Sequence, residues 1–107
     1  MKKKEDSLEI RFKTKKLQKQ YESSKEAAKA YGVQVAKKYI MRVAILKSVK
    51  CFEDLSKIPS LKFHSLKGNR KGEYAIKLTG YWRLIITNDG EIFDIAKIEE
   101  VSDHYGD

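Results

Sequence analysis

The chain has 107 residues, 41% of them hydrophobic, and its 23 lysine or arginine side chains outnumber 15 aspartate or glutamate side chains, giving a formal net charge of +8. A chain of this length can bury a core without disulfides, and its apolar content excludes disorder for most of it. The sequence therefore predicts one domain over residues 1–107, with residues 1–6 flexible.

The cysteine content and the short apolar runs bear on cellular location. Cys51 is the only cysteine, so no disulfide forms within the chain, and an unpaired thiol suits a reducing compartment. Lys2–Lys4 is followed by no apolar segment, and runs such as Val43–Leu46 are far shorter than the roughly 20 residues that span a bilayer. We expect a cytoplasmic protein without membrane contact.

The charge is distributed unevenly along the chain. Residues 1–50 carry 15 basic and 5 acidic side chains, net +10, whereas residues 51–107 carry 8 basic and 10 acidic ones, net −2. Residues 89–107 alone hold seven acids beside Lys97. A basic half of this kind favours phosphate backbones or acidic protein surfaces as partners, but a solvated lysine surface gives the same count.

The first third of the chain predicts a strand followed by helical segments. Apolar and charged residues alternate over residues 7–12, which predicts a half-buried strand. Residues 15–31 contain no helix breaker, and the capping signal at Ser23-Ser24 and Glu26 predicts two short helices or one kinked helix ending at Gly32.

The most regular helical pattern runs from Val33 to Lys50. Its apolar residues recur at steps of three and four, whereas basic residues, Arg42 among them, fall mostly outside the apolar stripe. Phe52–Leu55 adds one further turn before Pro59, the only proline, which marks the change from helices to strands.

Short segments with high strand propensity follow Pro59. They cover residues 61–66, 74–78, 82–87 and 92–98. Asn88-Asp89-Gly90 predicts a hairpin between the last two, Thr79-Gly80 predicts a second tight connection, and Glu99 and Glu100 are expected to end a strand in solvent.

This order of elements predicts an α+β domain, with an N-terminal strand and two main helices packed on a mostly antiparallel sheet. The side chains expected to be largely buried are Ala36, Ile40, Val43, Trp82, Leu84 and Ile86.

The sequence lacks the residue patterns that several classes of catalytic site require. His64 and His104 are far apart in sequence and Cys51 has no cysteine at ligand spacing, so we expect no metal site and no cofactor. The glycines of the basic loop Lys67–Gly72 are not in phosphate-loop spacing, and no serine stands in a nucleophile motif.

Several residues of the strand region have two interpretations. Arg83 interrupts an apolar strand, so its guanidinium either pairs with a carboxylate of a neighbouring strand or contacts substrate. His64 is either a partly exposed sheet histidine or a reactive group, and the Lys67–Gly72 loop is either a solvated turn or a binding element. The rings of Tyr74 and Trp82 are expected to pack in the core or on the sheet rather than to stack on nucleic-acid bases.

Two stretches of the second half carry a pattern. Residues 62–76 read KFHSLKGNRKGEYAI, and residues 81–84 read YWRL. They closely resemble HigB-type toxins of the RelE/ParE toxin–antitoxin superfamily, in which H-x-L-K-G-[DN]-R-x-G-x-[WYF]-[SA]-[IV] precedes a W-R-[IL] strand and a terminal D-Y-H. The end of this chain instead reads Asp103-His104-Tyr105, so histidine and tyrosine are exchanged, and Lys2–Lys4 has no family counterpart.

The resemblance implies a type II toxin that cleaves mRNA on the translating ribosome without a metal and forms a hetero-oligomer with a helix-turn-helix, HigA-like antitoxin. The implied catalytic residues are His64, Arg70, Arg83, Asp103, His104 and Tyr105. The implied RNA-binding residues are Lys67, Lys71 and Tyr74.

Each residue type suits its implied role. The two histidines would transfer protons, because imidazole titrates near neutral pH, and the two arginines would stabilise charge growing on phosphorus. Tyr105 would position a group or donate a proton, and Asp103 would orient a neighbour; which of His104 and Tyr105 faces the phosphate stays open.

Two other functions also stay open. ParE-like relatives poison DNA gyrase by protein contact and need no catalytic residues, although two histidines argue against that class here. An RNA-binding module that does not cleave RNA would explain the positive charge but no other feature of the sequence.

Overall fold

The computed structural model describes residues 7–92 and 94–103, which form five strands, three α-helices and three short 3-10 turns. The strands are β1 (Glu9–Phe12), β2 (His64–Ser65), β3 (Glu73–Lys77), β4 (Arg83–Asn88) and β5 (Ile95–Ser102). The helices are α1 (Lys15–Glu22), α2 (Ser24–Tyr31) and α3 (Val33–Ser48), and the 3-10 turns span Phe52–Lys57, Pro59–Leu61 and Gly68–Arg70. The expected flexibility of residues 1–6 concerns a segment outside the described residues.

The five strands form one sheet in the order β1-β5-β4-β3-β2. The pairs β2–β3, β3–β4 and β4–β5 are antiparallel, whereas β1 runs parallel to β5. The predicted α+β class and mostly antiparallel sheet are confirmed.

Local capping divides the first helical segment in two. The Ser23 hydroxyl oxygen accepts a hydrogen bond from the backbone N–H of Glu26 at 3.3 Å, so Ser23 both ends α1 and begins α2. Gly32 then separates α2 from α3 with a φ of 88°, a conformation that side chains with a Cβ rarely adopt. The prediction of two short helices is therefore the correct alternative.

The main core lies between the helices and one face of the sheet. Its fully buried members include Tyr39, Val43 and Leu46 of α3 and Ile76 and Ile98 of the sheet. Tyr39 also donates a hydrogen bond from its phenol to the backbone oxygen of Leu17 at 2.7 Å, and burial raises the pKa of that phenol.

Four of the six side chains predicted to be buried lie in the interior. Ala36, Val43, Leu84 and Ile86 are buried, as expected. Ile40 and Trp82 are only half-buried, and the Trp82 ring packs edge-on against Tyr31 with centroids 5.8 Å apart.

Arg42 is buried, and the prediction that it lies outside the apolar stripe is wrong. The residue is 7% exposed, and Nε donates to the backbone oxygen of Lys77 at 2.9 Å. Nη2 donates to the backbone oxygen of Ser60 at 3.4 Å. Carbonyls at the end of β3 and in the turn before β2 thus satisfy this guanidinium, although burial lowers its pKa.

The predicted strand over residues 61–66 is mostly absent. Pro59 begins a 3-10 turn that ends at buried Leu61, and Lys62 adopts the left-handed conformation with a φ of 50°. The chain is redirected there, so that only His64 and Ser65 pair with β3.

The last strand is shifted along the chain from the predicted segment 92–98. The Asn88 side-chain oxygen accepts hydrogen bonds from the N–H groups of Gly90 and Ile95, which shapes a wider β4–β5 connection than a two-residue turn. The antiparallel hairpin itself is confirmed, but β5 continues to Ser102. Glu99 and Glu100 therefore lie inside β5, and their predicted position at a solvated strand end is wrong.

Candidate functional site

The sheet has a second face, opposite the main core. Ile76 belongs to the core shared with the helices, whereas its neighbour Ala75 forms a separate small cluster with Ile85 and Leu66. Neighbouring residues of a strand point to opposite faces. Ala75 and Ile85 therefore mark the face turned away from the helices, here called the outer sheet face.

The strand register places His64 on this outer sheet face. His64 pairs with Ala75, Ala75 with Ile85, and Ile85 with Glu100, and directly opposed residues present their side chains on the same side of a sheet. One row across the sheet thus has the histidine at the edge, two apolar residues in the middle and a carboxylate on β5.

Arg83 stands in the next row of the same face. It pairs with Lys77 on one side and Ser102 on the other, and it lies two residues before Ile85 on β4. By standard strand spacing, the backbones of β2 and β4 are about 10 Å apart. His64 and Arg83 therefore project from the same sheet face, two strands apart.

A backbone contact orients the His64 ring. Nδ1 lies 2.8 Å from the backbone oxygen of Lys62, and His64 is half-buried. A carbonyl oxygen can only accept, so this contact places a proton on Nδ1. In the neutral ring Nε2 is then the basic nitrogen.

Arg70 connects the basic loop to two carboxylates. Its Nε donates to Glu73 at 2.6 Å and its Nη2 donates to Glu100 at 2.9 Å. These two hydrogen bonds, that with Glu73 above all, raise the pKa of the guanidinium. Because Glu100 belongs to β5, Arg70 anchors the Lys67–Gly72 loop to the middle of the sheet. A guanidinium has five N–H donors, and these contacts use two.

Arg83 is held by the turn that precedes its strand. Its Nη1 donates to the backbone oxygens of Gly80 and Trp82, both at 2.9 Å. Gly80 takes a positive φ of 55° in this tight connection, which confirms the turn predicted from Thr79-Gly80.

Asp103, the described candidate of the C-terminal segment, follows the last residue of β5. Ser102 pairs with Arg83, so Asp103, which is exposed, leaves β5 close to that arginine. His104 and Tyr105 lie outside the described residues.

The predicted RNA-binding residues line one cavity beside the basic loop. Lys67 and Lys71 are exposed beside a cavity of about 490 Å³ that Tyr74 also lines. The Tyr74 ring stacks on Phe63 with centroids 5.1 Å apart and meets Phe52 edge-on at 5.2 Å. The Tyr74 ring thus belongs to an aromatic cluster on the helix side of the sheet, and its RNA-binding role stays a prediction.

Three carboxylates that hold the site together were not predicted from the sequence. Glu73 and Glu100 bind Arg70, and Glu99 accepts a hydrogen bond from the Thr87 hydroxyl at 2.8 Å. Thr87 lies on β4 and Arg70 lies on the loop before β3, so only the spacing of three residues between Arg70 and Glu73 could have indicated one of these pairs from the sequence. Among residues 7–92 and 94–103, no three His, Cys, Asp or Glu side chains are grouped so that they could hold a metal ion. No helix in those ranges is long and apolar enough to cross a membrane.

Most of the chain matches the sequence model of one protein family. Residues 10–98 match the model of the HigB-like toxin, described as the RelE-like toxin of the type II toxin–antitoxin system HigB. The chain belongs to the HigB-like toxin family. No curated protein sequence matches it significantly.

Solved structures show that this HigB-like toxin shares its fold with YoeB-type proteins. The YoeB/ParE toxin from Agrobacterium tumefaciens is 16% identical with a TM-score of 0.56, and the match covers 92% of this chain and 100% of that one. The YoeB–YefM complex and the YoeB dimer from Staphylococcus aureus are each 20% identical, with TM-scores of 0.51 and 0.52. Both matches cover 92% of this chain and 98% of the other.

Proposed function

We propose that this HigB-like toxin is a metal-independent endoribonuclease that cleaves mRNA on the ribosome. The observation that carries the proposal is the orientation of His64, whose Nδ1 bonds a backbone carbonyl while its ring shares the outer sheet face with Arg83. A base and a cation on one face are two of the three groups that RNA cleavage needs without a metal.

The chemistry is an internal attack by the RNA ribose. His64 Nε2 takes the proton of the 2′-hydroxyl, and the 2′-oxygen bonds to phosphorus as the bond from phosphorus to the 5′-oxygen breaks. A second group protonates the departing 5′-oxygen; His104 takes this role, and Tyr105 is the alternative. The products are a 2′,3′-cyclic phosphate and a free 5′-hydroxyl.

Cations on the outer sheet face stabilise the negative charge that grows on the phosphoryl oxygens. Arg83 acts directly, and Arg70 contributes through the N–H donors that Glu73 and Glu100 leave unused. Lys67 and Lys71 hold the RNA backbone outside the reacting bond, and Asp103 orients a neighbouring side chain.

The partners follow from the same proposal. The chain acts in the cytoplasm on ribosome-bound mRNA and is held inactive in a hetero-oligomer with a helix-turn-helix antitoxin. The shared fold with a YoeB that was solved together with YefM supports an antitoxin partner.

Single-turnover cleavage of ribosome-bound mRNA tests the catalytic proposal. His64→Ala, Arg83→Ala and His104→Ala should each slow cleavage by roughly 100- to 10,000-fold, because each removes a proton-transfer or charge-stabilising group. Lys16→Ala, on the exposed surface of α1, is the matched control and should cost little. Circular dichroism should show every variant folded, and the larger loss between His104→Ala and Tyr105→Ala identifies the proton donor.

Cleavage within a few-fold of the parent in all the catalytic variants would reject the mechanism. Induction in a bacterial host then separates the remaining functions: a block in protein synthesis retains a translation target, whereas DNA damage indicates a gyrase inhibitor.

A further inference from the structure

An apolar groove lies on the helix layer, between α2 and α3. It has a volume of about 480 Å³, and buried Ala36 with half-buried Ala28 and Ile40 form its floor. Val33 and Met41 line it as well and are 70% and 47% exposed, so two large apolar side chains face water there. Exposed apolar side chains grouped around a groove indicate a protein-binding site.

The groove has the dimensions of a short helix contact. Val33 and Met41 are eight residues apart on α3, which corresponds to about 12 Å along the axis, or two turns of a partner helix. The small side chains of Ala28 and Ala36 let an apolar ridge of that partner enter between α2 and α3.

The basic side chains around the groove favour an acidic partner. Lys25 and Lys37 line the groove, and residues 15–50 carry ten basic side chains against two acidic ones. Phosphates gain nothing from a floor of alanine and isoleucine, which disfavours RNA. A second copy of the chain docked through the same groove would set lysines against lysines, which disfavours a symmetric dimer.

We propose that the α2–α3 groove binds an amphipathic helix of the antitoxin, with an apolar ridge flanked by acidic residues. This inference rests on the proposed toxin function, since it assigns the site of the neutralising partner. The partner's apolar side chains at helical spacing fill the groove, and its carboxylates pair with Lys25 and Lys37.

The groove and the candidate catalytic residues lie on different layers. The groove belongs to the helices, whereas His64 and Arg83 lie on the sheet face turned away from them. Groove binding is therefore separable from catalysis, so variants in the groove should escape the antitoxin and still cleave RNA.

Calorimetry with the purified product of the reading frame next to this gene measures the contact. Val33→Asp/Met41→Asp should weaken binding by about 30-fold or more, since truncation or charging of central interface side chains has effects of that size. Ile92→Asp is the matched control, because Ile92 is 86% exposed and lies outside the groove. Lys25→Glu/Lys37→Glu keeps the apolar floor and should weaken binding at low salt more than at high salt.

A cellular assay separates this inference from the proposed function. The Val33→Asp/Met41→Asp toxin should still arrest growth and cleave ribosome-bound mRNA, but co-expression of the neighbouring protein should no longer relieve the arrest. If the parent chain neither arrests growth nor binds that protein, the proposed function itself fails.

If the parent is neutralised and both double variants bind within about three-fold of it, the groove assignment alone is overturned. Loss of ribosome binding with antitoxin affinity intact would assign the groove to RNA. A dimer of the parent that the Val33→Asp/Met41→Asp variant dissociates would assign it to a second copy.

Discussion

The clamp formed by Arg70 with Glu73 and Glu100 should stabilise the fold as well as the candidate site. Arg70 extends from the basic loop to β3 and β5, with hydrogen bonds of 2.6 and 2.9 Å. Arg70→Ala removes both bonds and releases the loop from the sheet. We therefore expect a loss of stability and a loss of cleavage, and two sets of variants measure them separately.

The size of the stability loss follows from exposure. The side chains of Arg70, Glu73 and Glu100 are 36%, 29% and 47% exposed. Exposed ion pairs contribute about 0.2–1 kcal/mol, whereas buried hydrogen bonds to charged groups contribute about 1.5–3 kcal/mol. Solvent screening at this exposure puts each bond near 1 kcal/mol, so Arg70→Ala should lower the free energy of unfolding by about 2 kcal/mol. Arg70→Lys should lower it by about 1 kcal/mol, since an ammonium does not reproduce the two-pronged contact.

Urea denaturation tests these values. A double-mutant cycle of Arg70→Ala with Glu100→Gln should give a coupling energy of about 1 kcal/mol, which removes effects of either change alone. Unfolding free energies of parent and Arg70→Ala that agree within about 0.3 kcal/mol would show that the clamp contributes nothing to stability.

Cleavage assays then separate support from contact with RNA. Glu73→Gln/Glu100→Gln loosens the loop but keeps the arginine. If Arg70 stabilises the transition state directly, this variant should cleave faster than Arg70→Ala under conditions where both are folded. Equal rates would make Arg70 a positioning residue only.

Three further predictions concern charge and burial. Lys67→Ala/Lys71→Ala should reduce the slope of log K against log salt for RNA binding by about 1.4, because each lysine–phosphate contact in single strands contributes about 0.7; an unchanged slope would place the RNA elsewhere. Burial raises the pKa of Tyr39 above its ordinary value of 10.0. The folded protein should therefore lose stability as the pH rises above 10.0, by up to about 1.4 kcal/mol per pH unit. Urea denaturation of Tyr39→Phe should show a shallower loss over the same pH range. Arg42→Met leaves two backbone carbonyls without their donor and should lower the free energy of unfolding, measured by thermal unfolding, by about 2 kcal/mol. An unchanged free energy of unfolding would show that water hydrates the two carbonyls in the variant.

Local signals in the sequence predicted most elements of the fold. Ser23 caps a helix through its own hydroxyl, and Gly80 allows a turn through its own backbone, so such signals act within a few residues. The apolar periodicity of α3 likewise reports a helix whatever packs against it.

Long-range partners account for what the sequence did not predict. Arg42 is buried because carbonyls of Ser60 and Lys77 meet it, and Glu100 is held because the register brings Arg70 over β5. Neither pairing follows from residue spacing. For the candidate site, a sheet position was one of the two interpretations of His64 from the sequence, but the alignment of His64 with Arg83 depends on the pairing of three strands.

The parallel pairing of β1 with β5 determines when the sheet can be completed during synthesis of the chain. Glu9 pairs with Ile95, so β1 is synthesised long before the strand that must lie between it and β4. Sheets closed by such distant segments fold slowly, because the loop entropy is lost before the contacts form. Glu100 and Ser102 also arrive with β5, and they complete the rows of His64 and Arg83. A nascent chain therefore lacks the assembled outer sheet face until residues 95–102 have left the ribosome that makes it.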